Sequence, residues 1–254
     1  MADLYPNNFL DKVIIRIDFA NPIESLRNDL DPNLKLEILK QFPISEPPKR
    51  MIQKEVTFNI TKEKSNIEDI NRGELFDWIF HGKNREKSLH LNIDNMYIQY
   101  SKYTCFDHLK RDFFSIVKPL ISLTDTFGVK RLGLRYIDKI ALNESKPLNW
   151  TKYLNKNLLC ILKVPDKNQS LLRAFNILEV QSEDINVRFQ YGMFNPDFPA
   201  PIHRKEFILD YDAYHEGLLQ SLREIDEKLV YSRQLIKEFF ENSIEDGLRR
   251  MMRE

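Results

Sequence analysis

The sequence predicts an α+β fold: antiparallel sheet with packed helices and a long C-terminal helix. Three observations predict it. Strand-like runs come in groups joined by short hairpin-like links, helical periods stand between those groups, and residues 215–254 carry an apolar stripe at helical spacing. The order strand, helix, strands, helix recurs loosely along the chain, which allows two similar halves although no stretch of sequence repeats. At 254 residues the chain accommodates an N-terminal lobe, 1–142, and a C-terminal lobe, 143–254, or one continuous domain.

The elements follow in order. Val13, Ile15, Ile17 and Phe19 alternate with Ile14, Arg16 and Asp18, the period of a half-buried strand. A helix is expected from Pro32 to Phe42, with Asp31 as N-cap and Pro32 in its first turn; Ile44 to Arg50, with Pro47-Pro48, reads as a loop. Val56, Phe58 and Ile60 form a strand pattern, and Leu75 to Phe80 is an apolar run of either type. Leu89, Leu91 and Ile93 lead into Met96, Ile98 and Tyr100 across Asp94-Asn95, residues suited to a tight turn. From Phe106 to Phe127 the apolar spacing is helical, with Pro119 predicting a kink or break and Gly128 placed to end it.

The clearest strand runs from Val129 to Leu142. Leu132, Leu134, Tyr136 and Ile140 share one side; Arg131, Arg135 and Lys139 share the other. Residues 143–169 read as a loop-rich boundary. Strands are expected at Leu172–Gln181, Asn186–Phe194 and Lys205–Tyr211, with Asn195–Pro201 as a stiff, extended connector. The C-terminal stripe joins Leu218, Leu222, Ile225, Leu229, Ile236, Phe239 and Phe240 to Ile244 and Leu248, interrupted at Ser232. It predicts a helix laid on the protein's own sheet, with a coiled-coil partner as the lesser reading.

Composition narrows the function classes. Lys and Arg number 38, as do Asp and Glu, so the net basic excess of a nonspecific duplex binder is missing, though a local basic patch remains possible. Only 7 residues are Gly, and neither of the glycine-rich phosphate-binding motifs nor a Gly-x-Ser-x-Gly elbow occurs. The two cysteines, Cys105 and Cys160, are far apart and read as small buried hydrophobes rather than ligands or nucleophiles. His81, His90, His108, His203 and His215 lack the spacing that places two ligands on one helical face. Arg85 and His90 match an Arg-x-x-x-x-His ribonuclease spacing, but the alternation of Ser88 to Ile93 gives a strand where that motif needs a helix. The expectation is a cytoplasmic protein with no signal peptide, no membrane span, no metal, no cofactor and no catalytic residues.

One surface carries a positive hypothesis. Arg131, Arg135 and Lys139, with Arg188 and Arg16 on the polar parity of other strands, would form a basic sheet face able to hold RNA, an anionic metabolite or an acidic protein. The alternative is an ordinary solvated face with compensating acids. Asp138 falls on the apolar side beside Tyr136; a structural role is expected, through a bulge at that point or pairing with an arginine from a neighbouring strand.

Several landmarks together resemble a family. Tyr5-Pro6-Asn7-Asn8 before the first strand, Asn21-Pro22-Ile23 after it, and Arg131 to Ile140 are similar to blocks of a sporadically distributed family of uncharacterised bacterial proteins. Phe207 to Tyr214, and Phe239 to Ile244 with Leu248, are similar to its later blocks; Phe9 and Asp138 depart from its usual Pro and Asn. The resemblance implies a defence- or antitoxin-associated companion of nucleases. The function expected is therefore a non-catalytic binding protein, partner or regulator of a defence or toxin component encoded nearby. The alternatives are an RNA-binding or RNA-processing protein and a small-ligand sensor.

Overall fold

The computed structural model describes residues 5–60, 65–124, 126–166 and 168–254, with 51–60 and 65–75 described by backbone alone. The first strand, β1 (Leu10–Phe19), buries Val13, Ile15, Ile17 and Phe19 completely or nearly so, as its alternation requires. α1 (Pro32–Gln41) starts where expected, with the Asp31 carboxylate accepting from the N–H groups of Asn33 and Leu34 at 2.9 and 3.0 Å. Four strands follow: β2 (Ile44–Ser45), β3 (Lys49–Ile60), β4 (Ser65–His81) and β5 (Lys87–Leu91). The apolar run Leu75–Phe80 thus belongs to a strand; the side chains of Val56, Phe58 and Ile60 lie outside the described residues.

β6 (Asn95–Tyr100) leaves β5 through Asn92, Ile93 and Asp94. The Asn92 side chain accepts from the N–H groups of Asp94 and Asn95, both at 2.9 Å, and fixes the turn. α2 (Phe106–Ile121) and β7 (Val129–Leu142) come next, then β8 (Ala174–Ser182), β9 (Ile185–Met193) and β10 (Lys205–Leu219). The chain ends in α3 (Leu222–Ser243), opened by a reciprocal Ser221–Glu224 capping box, and α4 (Asp246–Arg253).

All the strand pairs are antiparallel, and the fold is α+β. The sheet order is β2-β4-β5-β6-β1-β7-β10-β9-β8, with β3 paired to β4. Away from the central β1–β7 pair, β6-β5-β4 on one side answers β10-β9-β8 on the other, and each triplet is followed in the chain by a long helix. The β7–β10 pairing carries the sheet across residue 142 without a break. The helices lie on one face: α3 packs on β7, β9 and β10, and α1 packs on α2. The core sits beneath them, built from the odd-numbered residues of β1 and β10 and the even-numbered residues of β7.

Several expectations are corrected. The second helix runs through Pro119 and stops at Ile121 rather than Phe127; Gly128 precedes β7 instead of capping the helix. β10 runs on from Tyr211 to Leu219, so Leu218 is an exposed strand residue and the C-terminal helix begins only at Leu222. Ser232, the polar interruption in the apolar stripe, is buried within that helix. Asn195–Pro201 is a compact turn, held by the Asn195 amide donating to the carbonyls of Leu172 and Ala200 at 2.8 and 2.7 Å. Neither cysteine is buried: Cys105 is half-buried and Cys160 exposed.

Asp138 finds no arginine. It faces the core, fully buried, and neither carboxylate oxygen has a hydrogen-bond partner. The strand irregularity falls on the neighbouring strand instead, where β1 shifts register between Leu10, opposite Asp138, and Lys12, opposite Ile137. The extra residue therefore leaves the parity of β7 unchanged and keeps Asp138 inside. Burial pushes its carboxyl up to about 7. Tyr136 is buried, its hydroxyl 2.8 Å from that of Tyr103 and the two rings edge to face.

Candidate functional site

The face of the sheet turned away from the helices has a hollow of about 600 Å³ at its centre. Register explains where it lies. Tyr97 on β6, Arg16 on β1, Gly133 on β7 and Tyr214 on β10 stand opposite one another in one cross-strand row. The neighbouring row is Gln99, Ile14, Arg135 and Asp212. Gly133 contributes no side chain between two large neighbours, and that gap is the floor. A Cβ there would meet the Arg131 guanidinium at 3.1 Å. The two tyrosines are three inter-strand steps apart, roughly 14 Å.

Three of the five arginines and lysines singled out from sequence, Arg16, Arg131 and Arg135, line the hollow. Lys139 and Arg188 share the face but not the hollow: Lys139 lies farther along β7 beside Glu206 at 3.3 Å, and Arg188 sits two strands away paired with Glu179. The face is not basic, as parity alone suggested. β10 presents Glu206, Asp210 and Asp212 to it, and these acids neutralise the cations of β7.

The three arginines are engaged to different degrees. Arg135 donates through Nε and Nη2 to the two oxygens of buried Asp210 at 2.7 and 2.6 Å, and this bidentate bond raises its pKa further. Arg16 donates to Asp18 at 2.7 Å. Arg131 lies over the Tyr214 ring, 4.7 Å from its centroid, and its nearest carboxylate oxygen, on Asp212, is 3.6 Å away. That is an ion pair beyond hydrogen-bond length, so the donors of Arg131 remain open to a ligand. Asp212 is their counterpart: burial raises its pKa, while Arg131 and Arg135 hold it down. Tyr97, its pKa raised by burial and by Asp77, stacks on His90 with ring centroids 4.3 Å apart.

The hollow thus offers cationic donors, a carboxylate acceptor, the Gln99 amide and an aromatic wall within one concavity. It can recognise a group that presents acceptors and donors side by side. Sequence reasoning missed Asp212, Gly133, Tyr97, Gln99 and Asp18. The alternation of Asp210 and Asp212 with Leu209, Tyr211 and Ala213 signalled acids on an open face, but only register shows which cations they meet.

Arg85 and His90 do not form a common cleft. Arg85 is in the β4–β5 turn, 3.7 Å from Glu46, and His90 is on a strand as its alternation indicated. Among the described residues no cluster of three or more His, Cys, Asp or Glu side chains could hold a metal, and no helix is long and apolar enough to cross a membrane. The chain matches no protein-family model, and none of the curated proteins compared with it matches.

Proposed function

We propose that the chain is a non-catalytic, cytoplasmic binding protein that engages a partner protein through the open sheet face, as companion or regulator of a defence or toxin component. The observation that supports this reading is the alternation of charge around the hollow. Arg16, Asp18, Arg131, Asp212, Arg135 and Asp210 give both signs within a few residues, which complements a protein surface of mixed charge better than a polyanion. The kind of partner rests on the resemblance of the sequence blocks to the defence-associated family.

Co-expression with the products of adjacent genes tests it. Wild type should retain one of them in stoichiometric amount, and Gly133→Leu, which sets a side chain on the floor of the hollow, should lose it while remaining folded by circular dichroism. A partner held equally by both proteins removes the open face from the proposal. Arg131→Ala is the companion variant, because removing Arg131 breaks no hydrogen bond, only a 3.6 Å ion pair.

A second reading rests on the Tyr97–His90 stack beside Arg16, a platform on which an unpaired base could lie. Short single-stranded RNA is its probe. Affinity that falls steeply between two salt concentrations, and is lost in Tyr97→Ala, would replace the protein partner with RNA.

A further inference from the structure

One end of the sheet is β8, and among the described residues no strand pairs with its outer side. Every second residue of such an edge turns its N–H and C=O outward, a ready template for another strand. Edges are commonly blunted by brevity, lysines, prolines or bulges. β8 has none of these: its 9 residues are Ala-Phe-Asn-Ile-Leu-Glu-Val-Gln-Ser, and the sole charge, Glu179, is paired with Arg188. The opposite end of the sheet carries β2, with 2 residues, and β3, with 12, both paired to β4.

Apolar exposure gathers at the same edge. Of the 11 exposed large apolar side chains among the described residues, five are Leu172, Ile177, Leu178, Phe194 and Phe198. Ile177 is 65% exposed and Leu178 45%. As neighbours in a strand they point to opposite faces of the sheet. A helix or a flat surface docked on one face would cover one of them and leave the other in water. A strand added in the plane of the sheet covers both.

We infer that β8 is the interface of a two-fold dimer of this chain, formed by antiparallel pairing of β8 with β8 of a second copy. The strand is compatible with itself. With the axis at Leu178, Leu178 meets Leu178, Ile177 meets Glu179 and Asn176 meets Val180; with the axis at Ile177, Glu179 meets Phe175. Neither register opposes like charges. The chain's net charge of zero adds no long-range repulsion between copies. The dimer is one continuous sheet that displays two copies of the Gly133 hollow on the same open face. It is independent of what the hollow binds.

Sedimentation equilibrium over a range of about 1–100 μM tests it. The full chain should sediment at twice its own mass. Ile177→Lys combined with Leu178→Lys, both exposed positions, should raise the dimer dissociation constant at least about a hundredfold with the melting temperature kept. Leu36→Lys, an exposed position on α1, should leave it unchanged. A wild-type chain that stays monomeric over the whole range overturns the inference, and so does a dimer that survives the double substitution.

Discussion

Asp138→Asn should make the protein more stable at high pH relative to wild type, and the size of the effect follows from one buried carboxyl. Asp138 is fully buried with neither oxygen hydrogen-bonded, and burial raises its pKa to about 7. An unfolded-chain aspartate titrates near 3.9. Between those values the folded protein keeps the proton and the unfolded chain releases it, so stability falls as pH rises and levels off above about 7. From pH 5 to pH 7 the loss is two units at about 1.36 kcal/mol each, close to 3 kcal/mol. Asparagine has nearly the same shape and does not titrate. Its unsatisfied amide costs the same at every pH, so the change in the variant-minus-wild-type difference isolates the carboxyl. Urea denaturation at pH 5 and pH 8 measures both. The difference should move by about 3 kcal/mol in favour of asparagine between the two. A difference that stays constant refutes the buried, unpaired carboxylate.

Three further outcomes test the packing around the site. Arg135→Ala strips buried Asp210 of its bidentate partner and should cost about 3 kcal/mol, whereas Arg131→Ala, which loses only a loose pair, should cost less than about 1 kcal/mol; equal losses by urea denaturation contradict this ranking. Gly192→Ala places a Cβ 2.1 Å from the Ala174 carbonyl oxygen at a φ of +143° and should cost at least about 3 kcal/mol, while Gly133→Ala should stay within about 1 kcal/mol. Similar melting temperatures for the two would contradict the geometry. Lys205 is buried against Trp150 and Tyr153 and donates to Glu144 at 2.7 Å and to the Asn149 carbonyl at 2.5 Å, pinning the segment after β7 onto β10. Lys205→Met should lose about 2 kcal/mol and speed amide exchange in residues 143–155; unchanged exchange there would show the segment is held by other contacts.

What the sequence made legible was local. The alternation in β1 and β7 assigns core and open faces correctly because a half-buried strand must alternate. Asp31 and Pro32 mark a helix start because both act within one turn. The readings that failed had competing signals in one stretch. The helical spacing of Leu120, Leu123 and Phe127 persists past Pro119, yet the helix ends at Ile121. The parity of β10 continues through Asp212 and Tyr214, but their polarity obscured the strand after Tyr211.

The pairing of charges on the open face was beyond any local pattern, because it depends on register between residues 75 positions apart. In the observed register Arg135 stands opposite Asp212 and is hydrogen-bonded to Asp210, while Arg131 stands opposite Glu216. A slip of one residue would turn Asp210 and Asp212 into the core, where two unpaired carboxylates could not be accommodated. A slip of two in one direction keeps every side chain on its face but sets Arg135 opposite Tyr214, Arg131 opposite Leu218 and Asp210 opposite Lys139, so the same acids meet other cations. The same residues on the same face therefore form different ion pairs in different registers. The bidentate bond between Arg135 and Asp210 belongs to the observed register, and no pattern within either strand announces it.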